Sequence, residues 1–261
     1  ACRLDFAPAE RTFAPQRCLG SPTAPAGEPM LKRLAISLPL ALLGALALAA
    51  GAYGVKAIAI YKNEMNSAEK RAEILNVSGR NCDRGGSQRA LRVAIGKRTE
   101  ECAYRTPVVG RDVEIFATER LLSGTPRSIR KRMYLAVNLR TGGGTRYQLA
   151  VFPLQRKYQL RKELPGGERR FLAVGKNIRR IKGVNKANEL RLRAFNLEGT
   201  DDKDDCRLLV FVNGKRMAVV TDESAGPLQG RFTGLSFGSR RPAAGAKASF
   251  DDVIVRVPSP F

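Results

Sequence analysis

Apolar and polar residues alternate with a period of two over most of the chain after residue 75. This alternation puts apolar side chains on one face of a β-strand and polar side chains on the other. The pattern therefore predicts a series of short, half-buried strands. The apolar positions that alternate in this way are Leu91, Val93 and Ile95; Val113, Ile115 and Ala117; Met133, Leu135, Val137 and Leu139; Tyr147, Leu149 and Val151; Tyr158 and Leu160; Leu190, Leu192 and Ala194; and Leu209 and Phe211.

Turn residues separate the predicted strands at intervals of about ten positions. Asn213 and Gly214 stand between two apolar runs and supply the two positive-φ residues that a type I′ hairpin turn needs. Ten or more strands in the last roughly 185 residues are more than one open sheet usually holds, and each strand has only one apolar face. The sequence therefore predicts an all-β fold with two antiparallel sheets packed face to face. Further turn clusters occur at residues 142–144, 165–167, 198–199 and 226–227.

An apolar segment without charges lies near the start of the chain, at residues 34–55. A helix of that length spans the roughly 30 Å hydrocarbon core of a bilayer. Met30, Lys32 and Arg33 precede the segment, in the order of a start residue, a charged region and an apolar region. We expect one N-terminal transmembrane helix that acts as an uncleaved signal anchor. The expected organisation is a disordered leader or upstream translation at residues 1–29, the anchor at 30–62, a stalk at 63–74 and the β domain at 75–261.

Two alternatives to the anchor stay open. Residues 47–49 fit the small-x-small pattern of a signal-peptide cleavage site, which would give a secreted protein, and a buried soluble helix is the third interpretation. Basic residues flank both sides of the apolar segment, so charge alone does not fix its orientation. We expect a single-pass membrane protein whose C-terminal domain lies outside the cytoplasm, where a disulfide would form.

Cys82 and Cys102 lie 20 residues apart around a single predicted strand. This spacing permits a disulfide that closes the first hairpin of the domain and contributes about 3 kcal/mol through loop entropy. Two unpaired buried thiols are the alternative, because Cys206 is left single in the same region. Neither cysteine of the pair has the spacing of a zinc knuckle, so we predict no zinc site.

The composition limits the kinds of catalytic and metal site that the chain can hold. There are 46 Lys and Arg against 24 Asp and Glu, for a net charge of +22, and there is no His and no Trp. The lack of His excludes His-based catalytic triads and His-rich metal sites. Residues 127–193 hold 19 basic and three acidic residues, a net charge of +16. Because these basic residues are interleaved with apolar ones, we interpret them as the solvated faces of strands and not as a disordered arm.

Seven runs in the second part of the chain carry a family resemblance: YLAVNLR at residues 134–140, YQLAV at 147–151, YQL at 158–160, NELRL at 188–192, VFVNG at 210–214, GRFTGL at 230–235 and FDDVIV at 250–255. In order and spacing they resemble the strands of concanavalin A-like jelly-roll domains, in the laminin G-like and DUF1080-like branches. The resemblance extends from about residue 75 to 257. It implies a two-sheet jelly-roll sandwich but no single function, since the fold hosts lectins, glycosidases and adhesion modules.

Acidic residues give little support for catalysis. Glycosidases of this fold place two carboxylates at alternate positions on one strand, roughly 5 to 9 Å apart. Asp112 and Glu114 alternate in this way but begin a strand, so we interpret them as its solvated edge. We interpret Asp251 and Asp252, at the start of the last strand, as structural. We therefore predict no catalytic residues, and a DUF1080-like carbohydrate hydrolase stays the alternative function.

One acidic loop is a weak candidate for calcium, which prefers several convergent oxygen ligands. Lys203 lies within this loop and favours a solubilising turn, so we predict no cofactor. The four carboxylates of the loop belong to Asp201, Asp202, Asp204 and Asp205.

The polar faces of the central strands form the predicted ligand site. Guanidinium groups form bidentate hydrogen bonds with carboxylates and phosphates, and tyrosine rings can act as sugar platforms in a chain without Trp. If these strands are neighbours in one sheet, as the resemblance implies, their arginines project on one side. The predicted ligand-binding residues are Tyr134, Asn138, Arg140, Gln148, Arg161, Arg191 and Arg193.

These observations favour a membrane-anchored, lectin-like module outside the cytoplasm that binds an acidic glycan or a cell-envelope polymer. Nucleic acid is a further candidate partner, because positive charge alone suits a phosphate backbone. The apolar segment argues against nucleic acid unless the domain faces the cytoplasm.

Overall fold

The computed structural model describes residues 57–77, 81–87, 89–197, 205–223 and 228–258. These residues belong to one compact unit, residues 53–261. They form fifteen strands, two short α-helices, α1 (Ala68–Ala72) and α2 (Arg127–Arg130), and two 3-10 helices at Pro153–Gln155 and Pro165–Gly167. The strands are β1 (Ala57–Asn63), β2 (Leu75–Asn76), β3 (Cys82–Ser87), β4 (Ala90–Ile95), β5 (Glu101–Val109), β6 (Val113–Leu121), β7 (Tyr134–Gly142), β8 (Thr145–Phe152), β9 (Lys157–Glu163), β10 (Arg169–Gly175), β11 (Asn188–Asn196), β12 (Cys206–Val212), β13 (Lys215–Asp222), β14 (Phe232–Gly238) and β15 (Lys247–Pro258).

The strands form two antiparallel sheets. The first sheet has the order β13-β12-β11-β6-β15-β4-β3, and β1 also pairs with β15. The second sheet has the order β10-β9-β8-β7-β14-β5-β2. Strands β7 to β10 form a meander, whereas β14 and β5 join it through long connections. The predicted all-β sandwich is confirmed. The predicted transmembrane helix at residues 34–55 lies outside the described residues, and none of the helices within them is long and apolar enough to cross a bilayer.

One apolar core fills the space between the two sheets. It contains the alternating sets predicted for most strands, such as Leu135, Val137 and Leu139 of β7. The prediction for β12 was wrong: Leu208, Val210 and Val212 are buried in the core, whereas Leu209 and Phe211 face outward. Both faces of this strand are apolar in sequence, so alternation alone could not tell them apart.

The hairpin predicted at Asn213 and Gly214 is confirmed. These residues join β12 to β13 with φ angles of +49° and +76°. The Asn213 side chain also donates a hydrogen bond of 2.6 Å to the carbonyl oxygen of Arg180. The turn therefore ties the end of the first sheet to the loop before β11.

The predicted boundary between stalk and domain at residue 75 was wrong, as was the extension of the anchor to residue 62. Residues 57–63 form β1, which pairs with the second half of β15. Met65 and Ile74, on either side of α1, are fully buried in the core. The apolar residues before position 61 look like a continuation of the predicted anchor, and this concealed the strand. The partner of the strand gives no local signal either, since it lies nearly 200 positions later in the sequence.

Cys82 and Cys102 form a disulfide. The bond does not close a hairpin within one sheet: Cys82 lies in β3 of the first sheet and Cys102 in β5 of the second. It therefore links β3, the edge strand of the first sheet, to β5, the strand next to the edge of the second sheet. Cys206 is free and buried, and burial raises the pKa of its thiol to about 11.

Glu119 is an acidic residue in the interior of the sandwich. It alternates with Ala117 and Leu121 on the inner face of β6 and is fully buried. Among the described residues, no charged side chain neutralises its carboxylate. Burial raises the pKa of Glu119 well above its ordinary value, and the backbone amide of Ala136 offsets only part of this increase. Folding therefore favours the protonated form of this side chain.

Replacing Glu119 with Gln should stabilise the domain at neutral pH. In the unfolded chain Glu119 ionises at its ordinary pKa, whereas in the folded chain it stays protonated up to its raised pKa. The free energy of unfolding of wild type therefore falls as the pH rises from the ordinary pKa towards the raised pKa. The amide of Gln does not ionise, so the variant gains roughly 1.4 kcal/mol over wild type for each pH unit in that interval.

Chemical denaturation from about pH 4 to about pH 8 measures this difference. Glu189→Gln, at an exposed position on the neighbouring β11, is the matched control and should follow wild type. The assignment fails if Glu119→Gln and wild type keep a constant stability difference over the whole range.

Candidate functional site

Four of the predicted ligand residues come together on the outer face of the second sheet, the face turned away from the core. Asn138 of β7 lies opposite Gln148 of β8, and Gln148 lies opposite Arg161 of β9. The guanidinium carbon of Arg161 is 4.7 Å from the centroid of the Tyr134 ring, a cation–π contact. Alternation along three neighbouring strands thus places these side chains side by side.

Gln148 connects these residues through hydrogen bonds. Its side-chain oxygen accepts a hydrogen bond of 2.6 Å from Nε of Arg161. Its amide nitrogen donates to Oγ of Ser236 at 2.9 Å and to Oε1 of Glu101 at 3.1 Å. Asn138 donates to the same Ser236 hydroxyl at 3.2 Å. Gln148 therefore links four strands of the sheet.

Arg146 adds two carboxylates to this network. Its Nη2 lies 2.5 Å from Oε2 of Glu101, and its Nε donates to Oε2 of Glu163 at 2.6 Å. Burial alone would raise the pKa of Glu101, but the charge and hydrogen bond of Arg146 outweigh it, so that the pKa is lowered. Glu101 is therefore ionised and paired near neutral pH.

The sequence did not reveal Glu101, Arg146 and Glu163 as site residues. Glu101 is the first residue of β5, which reaches β7 only through β14, and β14 lies about 130 positions later. No short sequence pattern indicates that β5 and β7 lie close together in the sheet. Arg146 and Gln148 alternate on the same face of β8, and this spacing is a signal that could have found Arg146.

Several buried polar atoms on this face have no hydrogen-bond partner among the described residues. They are the Tyr134 hydroxyl, Oδ1 of Asn138, Oε1 of Gln159 and Nη1 of Arg161. Buried polar atoms in folded proteins are nearly always hydrogen-bonded to protein, water or ligand. These four atoms are sealed from solvent, so they lie beneath the accessible surface of this face.

One accessible part of this face is a groove of about 500 Å³, which we call the glycine groove. Its polar lining includes Arg105, Asn138, Arg146 and Glu163, and its apolar lining includes Phe232. The guanidinium carbon of Arg105 is 4.3 Å from the centroid of the Phe232 ring. The groove therefore combines an aromatic ring with guanidinium, amide and carboxylate groups.

The turn between β7 and β8 forms a wall of the glycine groove. Gly143 and Gly144 have φ angles of +58° and +77°, a conformation that favours glycine. A second cavity, of about 530 Å³, lies against the same turn and is lined in part by Lys162, Arg170 and Arg231. The glycine turn thus borders two adjacent cavities.

Arg140 does not belong to the ligand face, so its prediction was wrong. A β-bulge follows Leu139, and Arg140 has a φ of +50°, which breaks the alternation of β7. Its buried guanidinium group binds Asp112 at 3.1 Å and Asn196 at 2.6 Å. Arg140 therefore ties loops together at the end of the sandwich.

Arg191 and Arg193 were also wrongly assigned to this face, because β11 belongs to the first sheet. Arg193 and Arg256 lie 2.9 and 3.1 Å from the carboxylate of Glu114, and Arg191 lies 3.9 Å from it. The guanidinium carbon of Arg191 is 3.7 Å from the centroid of the Phe211 ring. Glu114 is buried beneath these arginines, so it is not the solvated strand edge expected from the sequence.

The candidate calcium loop is described only at its last residue. Asp201, Asp202 and Asp204 lie outside the described residues, and the Asp205 carbonyl oxygen accepts a backbone hydrogen bond from Leu197. Within the described ranges, no group of three or more His, Cys, Asp or Glu residues is arranged to hold a metal ion.

No protein-family model and no curated protein matches the chain, but solved structures share its fold. The carbohydrate-binding module CBM66 from Bacillus subtilis has a TM-score of 0.50 and 16% identity, with 70% of this chain and 94% of the module covered. A protein of unknown function with a galectin-like fold from Bacillus subtilis has a TM-score of 0.55 and 13% identity, with 77% and 97% covered. Alginate lyase vAL-1 from Chlorella virus has a TM-score of 0.53 and 13% identity, with 77% and 100% covered. These likenesses show that the domain is a jelly-roll sandwich, as the resemblance implied.

Proposed function

We propose that the protein is a lectin-like module that binds a glycan in the glycine groove. The observation that carries the proposal is that the Phe232 ring and the polar groups of Arg105, Asn138 and Glu163 line the same groove. Sugars have apolar C–H faces that pack on aromatic rings, and hydroxyl groups that bind planar polar side chains. The fold similarity to a carbohydrate-binding module and to an alginate lyase supports this proposal.

The charge around the groove favours an acidic glycan or cell-envelope polymer as the ligand. Arg146 is neutralised by Glu101 and Glu163. Arg105 and Arg231, by contrast, form no ion pair with an acidic residue in the described part of the chain. These unpaired cations attract anions, and the attraction weakens with salt.

Binding is better supported than hydrolysis, the alternative function. The carboxylates of Glu101 and Glu163 lie close together, as the two carboxylates of a glycosidase do, and Glu163 lines the groove. However, both lie 2.5 Å from Nη2 of Arg146. A general acid needs a raised pKa, whereas the pKa of Glu101 is lowered. Glu101 and Glu163 are therefore better suited to bind a ligand than to act as acid catalysts.

We also propose that residues 34–55 anchor the protein in a membrane, with the β domain outside the cytoplasm. The support is the length and composition of this segment. The disulfide between Cys82 and Cys102 is consistent with an oxidising compartment.

An Ala244→Cys variant tests the side of the membrane. Ala244 is exposed in the connection between β14 and β15. A membrane-impermeant maleimide should label this variant in intact cells more strongly than it labels wild type. Labelling only after lysis would place the domain in the cytoplasm and contradict the proposal. Recovery of the protein in the medium would favour the secreted form.

Substitutions in the glycine groove should weaken glycan binding. We expect Arg105→Gln and Phe232→Ala each to lower the affinity of the full chain for acidic polysaccharides by about tenfold, since each removes a charged or aromatic contact. Calorimetric titration with dextran sulfate, polygalacturonate and unsubstituted dextran, at low and high salt, measures the affinity and its salt dependence.

Arg207→Gln, at an exposed position on β12 of the first sheet, removes the same charge and is the matched control. Its affinity should stay within about twofold of wild type. The proposal is wrong if wild type binds none of the polysaccharides at low salt, or if the groove variants bind as the control does.

A further inference from the structure

A third cavity, on the outer face of the second sheet, is surrounded by cations. It has a volume of about 280 Å³ and lies where β8 ends and β9 begins, at the opposite end of these strands from the glycine groove. No acidic side chain lines it. We call it the basic pocket, and its lining residues are Arg132, Phe152, Gln155, Lys157, Ser239, Arg240 and Arg241.

The cations of the basic pocket come from three separate segments. Arg132 precedes β7, Lys157 begins β9, and Arg240 and Arg241 follow β14. Arg132 is fixed by a hydrogen bond of 2.8 Å from its Nη2 to the carbonyl oxygen of Pro242. Its Nε is buried and has no hydrogen-bond partner among the described residues. The positive groups therefore approach the cavity from different directions.

Aromatic rings hold two of these cations. Nζ of Lys157 lies 5.6 Å from the centroid of the Phe152 ring, and the guanidinium carbon of Arg240 lies 5.6 Å from that of Phe171. Cation–π contacts orient a cation without neutralising its charge. Both groups stay available to an anion.

No cation of the basic pocket forms an ion pair with an acidic residue in the described ranges; the ion pairs found there involve other residues. Burial, together with the charges of Arg240 and Lys176, lowers the pKa of Lys157. Like charges are thus crowded at a partly buried position. An anion in the pocket would relieve the repulsion.

We propose that the basic pocket binds a tetrahedral oxyanion, the sulfate or phosphate group of the glycan that occupies the glycine groove. This inference rests on the proposed function. A tetrahedral oxyanion accepts hydrogen bonds from several directions, as cations from three segments require, whereas a carboxylate offers two oxygens in one plane.

The distance between the two sites sets the size of the ligand. β8 extends for seven residue steps from Thr145, at the glycine groove, to Phe152, at the basic pocket. At roughly 3.3 Å per step this is about 23 Å. A monosaccharide cannot reach both sites, so the ligand is an oligosaccharide or a polymer.

A double variant, Lys157→Gln with Arg240→Gln, tests the pocket in the full chain. Neither side chain donates a hydrogen bond to the described part of the protein, so the fold should be retained. Calorimetry should show that affinity for dextran sulfate falls about tenfold or more. Affinity for polygalacturonate, which carries only carboxylates, should fall no more than about twofold.

The matched control is Arg207→Gln with Lys215→Gln, which removes two exposed charges from the first sheet. Its affinity for dextran sulfate should stay within about twofold of wild type. Inorganic sulfate should compete with dextran sulfate for wild type but not for the pocket variant. Inorganic phosphate and a phosphorylated dextran distinguish a phosphate from a sulfate ligand.

Several outcomes would overturn the inference. Equal losses of affinity for dextran sulfate in the pocket variant and the control would mean that binding depends only on net charge. Equal losses for dextran sulfate and polygalacturonate would remove the preference for a tetrahedral group. Binding of a single-stranded oligonucleotide tighter than dextran sulfate, with the same dependence on Lys157 and Arg240, would assign the pocket to nucleic acid.

Failure of the groove proposal would look different. In that case Arg105→Gln and Phe232→Ala would bind dextran sulfate as wild type does, while the pocket variant would still lose affinity. If the groove variants lose affinity and the pocket variant does not, the groove is retained and the basic pocket is rejected.

Discussion

Arg146 holds two carboxylates, those of Glu101 and Glu163, on the outer face of the second sheet. Charges of this kind are costly to bury unless they are paired and hydrogen-bonded. With the acids paired, Gln148 and Arg161 can complete a network that runs across neighbouring strands. The middle of this face is therefore largely neutralised by its own side chains. The cations that remain without acidic partners lie at its two ends.

The contrast with the first sheet explains why we assign the ligand to the second. On the first sheet, Arg191, Arg193 and Arg256 share the buried carboxylate of Glu114. On the second, Arg105 and the cations of the basic pocket have rings and backbone groups as partners, but no acid in the described part of the chain. Unpaired cations around a cavity attract anionic ligands, whereas cations that share a buried acid are partly neutralised.

Sequence patterns predicted the features of the site that depend on neighbouring strands and short-range alternation. Alternation placed Tyr134, Asn138, Gln148 and Arg161 on one face because neighbouring strands of a meander keep their register. It failed for Arg140, where a bulge interrupts the period, and for β11, whose sheet depends on contacts distant in sequence. The network around Arg146 was missed for the same reason, since it joins strands that no short pattern relates.

The proposed acidic glycan would lie along the outer face of the second sheet and contact both of its ends. Chemical-shift mapping of the full chain during titration with dextran sulfate tests this claim most directly. We predict the largest backbone shifts at Arg105 and Phe232 and at Lys157 and Arg240, with small shifts over the first sheet. The largest shifts around Arg191 and Phe211 would contradict it.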